Sequence, residues 1–406
     1  MKLSKTFSRS TLLALSLFTL MAGCQTQIPL NATQTSEQTS EQTSGQASSP
    51  SSNGFQTLAL PHTSTVLNIA LEVHVENSML PTPQETDYIL NIAQAAHTAG
   101  VSLSFGLGID FLKDYASSGT ITAPEHGSFS LDSLVTALQA QNHLVSLHAD
   151  VPESATYSEI VSHLNTYVSQ VNNAGGQGSI ASGVCNEASA DGGWVKGALD
   201  AGIRTVAGVV RYCQGSLSSS HAEYIAPETC TPMGCHEAAP MNAPAQRAAG
   251  WFTQQTANWI DPSNPSNARQ LKRSLFIVGS FGEANVPCLA EAAAGENVGR
   301  TCDDRGLSSD DRIADDDYSS EAQGQADAAA FLASVQEVLN TSLSGTRGDA
   351  YHSAFSTNEV VSNTWLTGFF GSLSSAATGS LSGQISFSTL AEVAQLNRSE
   401  LGLTSR

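Results

Sequence analysis

Charge is scarce in this chain. Only 13% of its residues are charged, and the basic ones are scarce: 17 Lys and Arg stand against 37 Asp and Glu, for a net charge of -20. So acidic a surface repels phosphate backbones and anionic headgroups, which argues against nucleic acid as a partner. No apolar run reaches the roughly 20 residues that span a bilayer. There is no C-x-x-C pair of the kind that builds a structural zinc cluster, and no G-x-S-x-G elbow of the serine hydrolases. No G-x-G-x-x-G follows the first predicted strand, so a dinucleotide site has no support. The acidic segment from Asp303 to Asp317 lacks the spacing of a calcium-binding loop and reads as solvated.

What is present starts with Lys2, Lys5 and Arg9, the short apolar run Thr11 to Leu20, and then Met21-Ala22-Gly23-Cys24. A basic segment, a short apolar core and small residues make residues 1–23 a secretory signal. The Cys directly after Ala-Gly resembles a bacterial lipobox. That resemblance implies acylation of Cys24 as the mature N-terminus, and Gln25 in place of Asp implies sorting to the outer membrane. Residues 24–60 are rich in Ser, Thr and Gln, with Thr35-Ser36-Glu37-Gln38 recurring at Thr39 to Gln42. They cannot bury enough surface to order themselves and read as a disordered tether. Contact with the membrane is expected only through the lipid.

Residues 61–406 read as one α/β domain. Strand-like apolar runs alternate with helical patterns, and a glycine follows several of the helices as a stop signal. Repeated β-α-β units demand a mainly parallel sheet with right-handed crossovers. Seven or eight strands predict a single (β/α) barrel, with an open doubly wound sheet as the alternative. Two long insertions, residues 211–270 and 283–320, follow predicted strands. Trp251 and Trp259, eight apart in the first of them, suit one face of a helix packed on the core, with stacking on sugar rings or cover of the barrel mouth as the alternative. Beyond Cys24, Cys185, Cys213, Cys230, Cys235, Cys288 and Cys302 form an even set. In an oxidising compartment such a set implies disulfides. Local spacing favours Cys185–Cys213, Cys230–Cys235 and Cys288–Cys302 among fifteen possible connectivities.

The stretch that organises the chain is Val66 to Asn77, read as the first strand. It carries Glu72, His74 and Glu76 two apart, hence on one face. Two carboxylates and an imidazole at the end of a buried strand are costly without partners. Other polar residues also fall at strand ends: Asp110, His148 with Asp150, Cys185 to Glu187, Arg211, Glu283 and His352. In a parallel barrel these ends share one rim, so residues distant in sequence are expected to converge. Two histidines and a carboxylate suit zinc or another divalent transition metal with an open position for water.

This order of elements resembles the polysaccharide deacetylase superfamily, over roughly residues 66–372. Glu72-Val73-His74-Val75-Glu76 stands where that family has its first acidic motif, Leu147-His148-Ala149-Asp150 where it has its histidine motif, and Tyr351-His352-Ser353 where its last histidine falls. Pro152 occupies the place of the family's second histidine in the middle motif. The resemblance implies a distorted (β/α)₇ barrel, a metal held by His74, Glu76 and His148, Asp150 or Glu72 as base, and His352 as acid. The expectation is a lipid-anchored, metal-dependent hydrolase that deacetylates a carbohydrate or cell-envelope glycan. Two alternatives stay open: a non-catalytic glycan-binding or envelope-assembly lipoprotein on the same barrel, and a glycosidase using two rim carboxylates.

Overall fold

The computed structural model describes residues 66–76, 80–151, 155–184, 193–207, 251–254, 260, 265–280, 289–290, 320–340, 350–357, 360–400 and 403. The signal, Cys24 and the tether lie outside the described residues. So do Cys185, Cys213, Cys230, Cys235, Cys288 and Cys302, together with Asn186, Glu187, Arg211, Trp259, Glu283 and the acidic segment from Asp303 to Asp317.

In chain order the first half runs β1 (Leu67–Val75), α1 (Thr82–Thr98), β2 (Leu103–Gly108), α2 (Ile109–Ser118), β3 (Ile121–Ala123), β4 (Gly127–Phe129), α3 (Leu131–Ala140), β5 (Leu144–His148), α4 (Tyr157–Asn173) and β6 (Ile180–Ser182). Then follow α5 (Gly193–Asp200), β7 (Thr205–Ala207), β8 (Trp251–Thr253), α6 (Ala268–Leu271), β9 (Leu275–Ser280), α7 (Glu321–Asn340), β10 (Ala350–Ser356), α8 (Asn363–Thr378), β11 (Ile385–Phe387) and α9 (Leu390–Glu400). The fold is α/β with a mostly parallel sheet, in the order β10-β1-β2-β5-β6-β7-β9-β8, and β11 also pairs with β1. β10 lies parallel to β1 and also pairs with β9.

Three elements differ from the sequence reading. The stretch at Trp251 is strand, not helix: β8 pairs antiparallel with β9, Trp251 opposite Ile277. Three residues are too few to show a period. α8 begins at Asn363, where Ser362 caps it by accepting the Trp365 N–H at 3.1 Å. The sequence reading starts this helix earlier, at Asn358, which lies outside the described residues. Third, Asp110 does not end in a rim loop but sits in the first turn of α2, between the punctuating Gly108 and Gly119.

The sheet is buried on both faces, as a parallel sheet under helices must be. Alternate β1 residues Leu67, Ile69, Leu71, Val73 and Val75 pack on the helices with Leu103, Phe105, Leu107, Val145 and Leu147. Ala70, on the other face, joins a second cluster with Leu144, Ile180, Phe276 and Val278, and Leu390, Val393 and Ala394 of α9 cover it. α9 is held by a reciprocal cap: the Thr389 N–H donates to Glu392 Oε2 at 2.7 Å, and the Glu392 N–H to Thr389 Oγ1 at 3.3 Å. Glu72 and His74 share the face of Ala70, farther along the strand. Apolar packing thus fills that face at the strand starts, and polar groups take it at the strand ends. Among the described residues, no helix is long and apolar enough to cross a membrane.

Buried His143 ties β2 to α1. Its Nδ1 accepts the Leu103 N–H at 3.1 Å and its Nε2–H donates to the Ala93 carbonyl at 2.9 Å. Burial pushes its pKa down to about 4 against that second hydrogen bond, and the charge of His97 adds to the drop. Unfolded, it titrates near 6.5. Above about pH 6.5 neither state carries the proton; from 6.5 down to about 4 only the unfolded chain gains it. This one group should therefore withdraw about 3 kcal/mol of stability over that window as pH falls. Histidine NMR should find His143 neutral at pH 5. An ordinary titration near 6.5 would refute it.

Candidate metal centre

Three adjacent strands and the turns after them build the site. β1 brings Glu72 and His74, and Glu76 comes directly after it; β5 ends on His148, with Asp150 two residues on. β2 lies between them, pairing His74 with Gly106 and Gly108 with His148. A side chain at Gly106 has no room: a Cβ there would stand 2.6 Å from Glu72 Oε1 and 3.2 Å from both His148 Cβ and Ser182 Oγ. The gap lets the two imidazoles reach across a whole strand and stack, ring centroids 4.2 Å apart at 24°.

His74, Glu76 and His148 can each offer one ligand atom such that all lie within 4.8 Å of one another, the geometry of a group able to hold a metal ion. Glu76 Oε1 stands 3.7 Å from His74 Nδ1 and 3.7 Å from His148 Nε2. Ligands bound at about 2.0–2.2 Å in a tetrahedron stand about 3.4 Å apart, so these spacings need little adjustment to accept an ion. Both histidines are buried, while the Glu76 side chain is 28% exposed and opens the centre to solvent.

The surroundings are polar and paired. Glu72 is fully buried; its Oε2 lies 3.3 Å from His74 Nε2, and its Oε1 accepts the Ser182 hydroxyl at 2.9 Å. Ser182 Oγ in turn lies 2.8 Å from His148 Nδ1. The Glu76 backbone is fixed by Thr357, whose Oγ1 accepts the Glu76 N–H at 3.0 Å and donates to buried Glu85 at 2.6 Å. Asp150 Oδ1 is 2.9 Å from His148 Nε2, on a side chain 62% exposed. Asp150 has φ 37, a left-handed backbone that costs a non-glycine residue energy and recurs at functional sites. Facing it is Gly183 at φ +63, where a Cβ would meet the Asp150 amide at 2.9 Å.

Charges follow from this packing. Burial alone would lower His74, but the Glu72 and Glu76 carboxylates beside its ring override that and raise it well above the ordinary value. Burial likewise opposes protonation of His148, and the Asp150 carboxylate is the main influence that raises it. Burial pushes Glu76 and Asp150 up, yet the histidines win and hold both low. Glu76 is held low mainly by the His74 ring beside it, and the charge of His148 lowers Asp150 to about 2.

Of the residues expected at the rim, Glu72, His74, Glu76, His148 and Asp150 come together. Asp110 does not; it pairs in solvent with Lys113. The His352 backbone is paired with Leu71 in β1, and its side chain lies outside the described residues. Sequence reasoning missed Ser182, Gly106, Gly183 and Thr357. Ser182 had a signal, since it ends a strand two residues after apolar Ile180. No family model, curated protein or solved structure matches the chain.

Proposed function

We propose that this chain is a divalent-metal-dependent hydrolase that removes acyl groups from a carbohydrate, with its centre at the C-terminal rim of a (β/α)₇ barrel. The observation that carries the reading is the convergence of His74, Glu76 and His148 from two separate strands. A non-catalytic binding protein needs no such cluster. The pairing of β10 with both β1 and β9 supports a closed ring of seven parallel strands. The motif order shared with polysaccharide deacetylases supports the acyl-glycan substrate.

Two imidazoles and one carboxylate fit zinc with a position left open. An ion held there would supply Lewis-acid polarisation of a carbonyl and a lowered pKa for bound water. The chain's own residues do the rest. His74, Glu76 and His148 are the ligands, and the exposed Glu76 side faces incoming substrate. Asp150, ionised across the physiological range, has its Oδ1 2.9 Å from His148 Nε2 and so beside the ion's place, where it would orient the reacting water and accept its proton. His352, on the neighbouring strand, is the proposed proton donor to the leaving group. The lipid anchor at Cys24 and the tether would place this centre beside envelope glycans at the outer membrane.

The test is elemental analysis of the full chain purified without chelator, followed by acetate release from acetylated chitin and xylan oligosaccharides. One zinc per chain and release that a chelator stops and zinc restores are expected. A chain that takes up no divalent ion under any loading condition would sink the proposal.

A further inference from the structure

The hydrogen-bond chain behind the histidines has a direction, set by counting protons. Glu72, as a carboxylate, has acceptors only. Its Oε2 at 3.3 Å therefore takes the proton of His74 Nε2, so a neutral His74 turns its Nδ1 lone pair toward Glu76. Its Oε1 takes the single Ser182 hydroxyl proton at 2.9 Å. With that proton spent, Ser182 Oγ can only accept from His148 at 2.8 Å. The proton so accepted sits on His148 Nδ1. When an ion displaces the Nε2 proton that faces Asp150 Oδ1 at 2.9 Å, the neutral His148 offers Nε2, the atom 3.7 Å from Glu76 Oε1.

We infer that Glu72 and Ser182 form a relay that presets which nitrogen each histidine gives to the metal: Nδ1 from His74 and Nε2 from His148. This rests on the metal-centre reading above and adds two positioning residues to it. Glu72 is fully buried and both its oxygens have donors, which suits this role and gives it no contact with substrate. One carboxylate thus orients both imidazoles, directly on one side and through a hydroxyl on the other. Partners of this outer kind set ring orientation and ligand basicity in metal sites. The Gly106 gap is part of the same device, because any side chain there would meet Glu72, Ser182 and His148 at once.

Long-range ¹H–¹⁵N NMR of the full, zinc-loaded chain with ¹⁵N-labelled histidine reads the tautomers. One metal-bound histidine is expected to be bonded through Nδ1 with the proton on Nε2, and the other through Nε2 with the proton on Nδ1. Zinc affinity, measured by competition with a chelator, should fall roughly 10- to 100-fold in Ser182→Ala. Ser182→Thr keeps the hydroxyl and should restore both affinity and spectrum. Glu72→Gln places an amide donor in the relay, so at least one histidine should change its bonded nitrogen, with a loss of affinity at least as large. No stoichiometric zinc in the wild type overturns the metal centre and the relay together. Zinc bound normally, with His148 bonded through Nδ1 or with Ser182→Ala at wild-type affinity, overturns the relay alone.

Discussion

On the proposed function, His148→Ala will leave a chain that no longer retains a stoichiometric divalent ion, and hydrolysis will go with it. The substitution removes one of the three proposed ligands and the ring that stacks on His74. It also takes away the group that holds Asp150 ionised at 2.9 Å. Loss of an outer-shell partner alone costs roughly 10–100-fold in metal affinity, so loss of a ligand should exceed that range. His163→Ala is the control. That histidine is half-buried on α4 with its Nε2 3.3 Å from the Ala149 carbonyl, near the centre but outside the ligand group. Elemental analysis after dialysis should find the ion in His163→Ala and not in His148→Ala; an ion retained by both would exclude the assigned ligands.

The protonation of the cluster sets how this behaves with pH. Ligands must shed their protons to bind, and both imidazoles hold theirs above the ordinary value, so ion uptake weakens as pH falls. Stability of the ion-free chain follows two opposite signs. The raised histidines contribute fully below about pH 6.5, and that contribution is lost as pH rises through their folded values. Glu76 and Asp150, both lowered, contribute above about pH 4 and lose it on acidification, Asp150 only near 2. The gap in melting temperature between zinc-loaded and chelated protein should therefore widen from pH 6 to pH 8.

The largest effect on the fold itself is expected at Trp365. This fully buried ring stacks on Phe369 with centroids 5.0 Å apart, and Phe369 meets Phe370 edge-on at 5.3 Å. Its Nε1–H donates at 3.1 Å to Asp327, a fully buried carboxylate of α7 that also accepts the Ala290 N–H at 2.9 Å. Trp365→Ala opens a cavity worth about 3–5 kcal/mol. It also strips a donor from an enclosed charge, worth about 1–3 kcal/mol more. Against a total stability of about 5–15 kcal/mol, the sum approaches unfolding. Trp365→Phe keeps most of the volume and loses mainly the hydrogen bond. Urea melts should thus rank wild type above Trp365→Phe and that above Trp365→Ala, and equal midpoints for the two variants would show that volume is not what matters.

Much of the centre is legible in the amino-acid sequence because its main residues sit on regular spacings. Glu72, His74 and Glu76 alternate along one strand, and His148 and Asp150 close another, so strand periodicity and a parallel sheet bring them together. The supporting residues carry no comparable mark. Ser182 reaches Glu72 across 110 positions of sequence and Thr357 reaches Glu76 across 281, and serine and threonine are ordinary residues at strand ends. Gly106 looks like any glycine, because what it does is leave space between two neighbours. α2 is hidden because a polar residue directly after a strand, as Asp110 is, reads more readily as loop than as a helical first turn. The start of α9 carries a mark that the sequence reading passed over: Thr389 and Glu392 have the spacing of a reciprocal cap around Leu390, and Val393 and Ala394 follow on the covered face.

β1 carries half of the centre and is also the strand whose partners lie farthest away along the chain. Leu67 pairs with Ile385 and Ile69 with Ala350. A chain emerging N-terminus first presents this strand early and must keep it unpaired on one side until about three hundred more residues have followed. Contacts of such separation are slow to form, because loop closure has to be overcome before they stabilise anything. The first strand made is thus among the last to be completed. A nascent chain cannot trap an ion between His74 and His148 in a finished centre, and a chain delivered across a membrane in extended form would acquire its chemistry only on the far side.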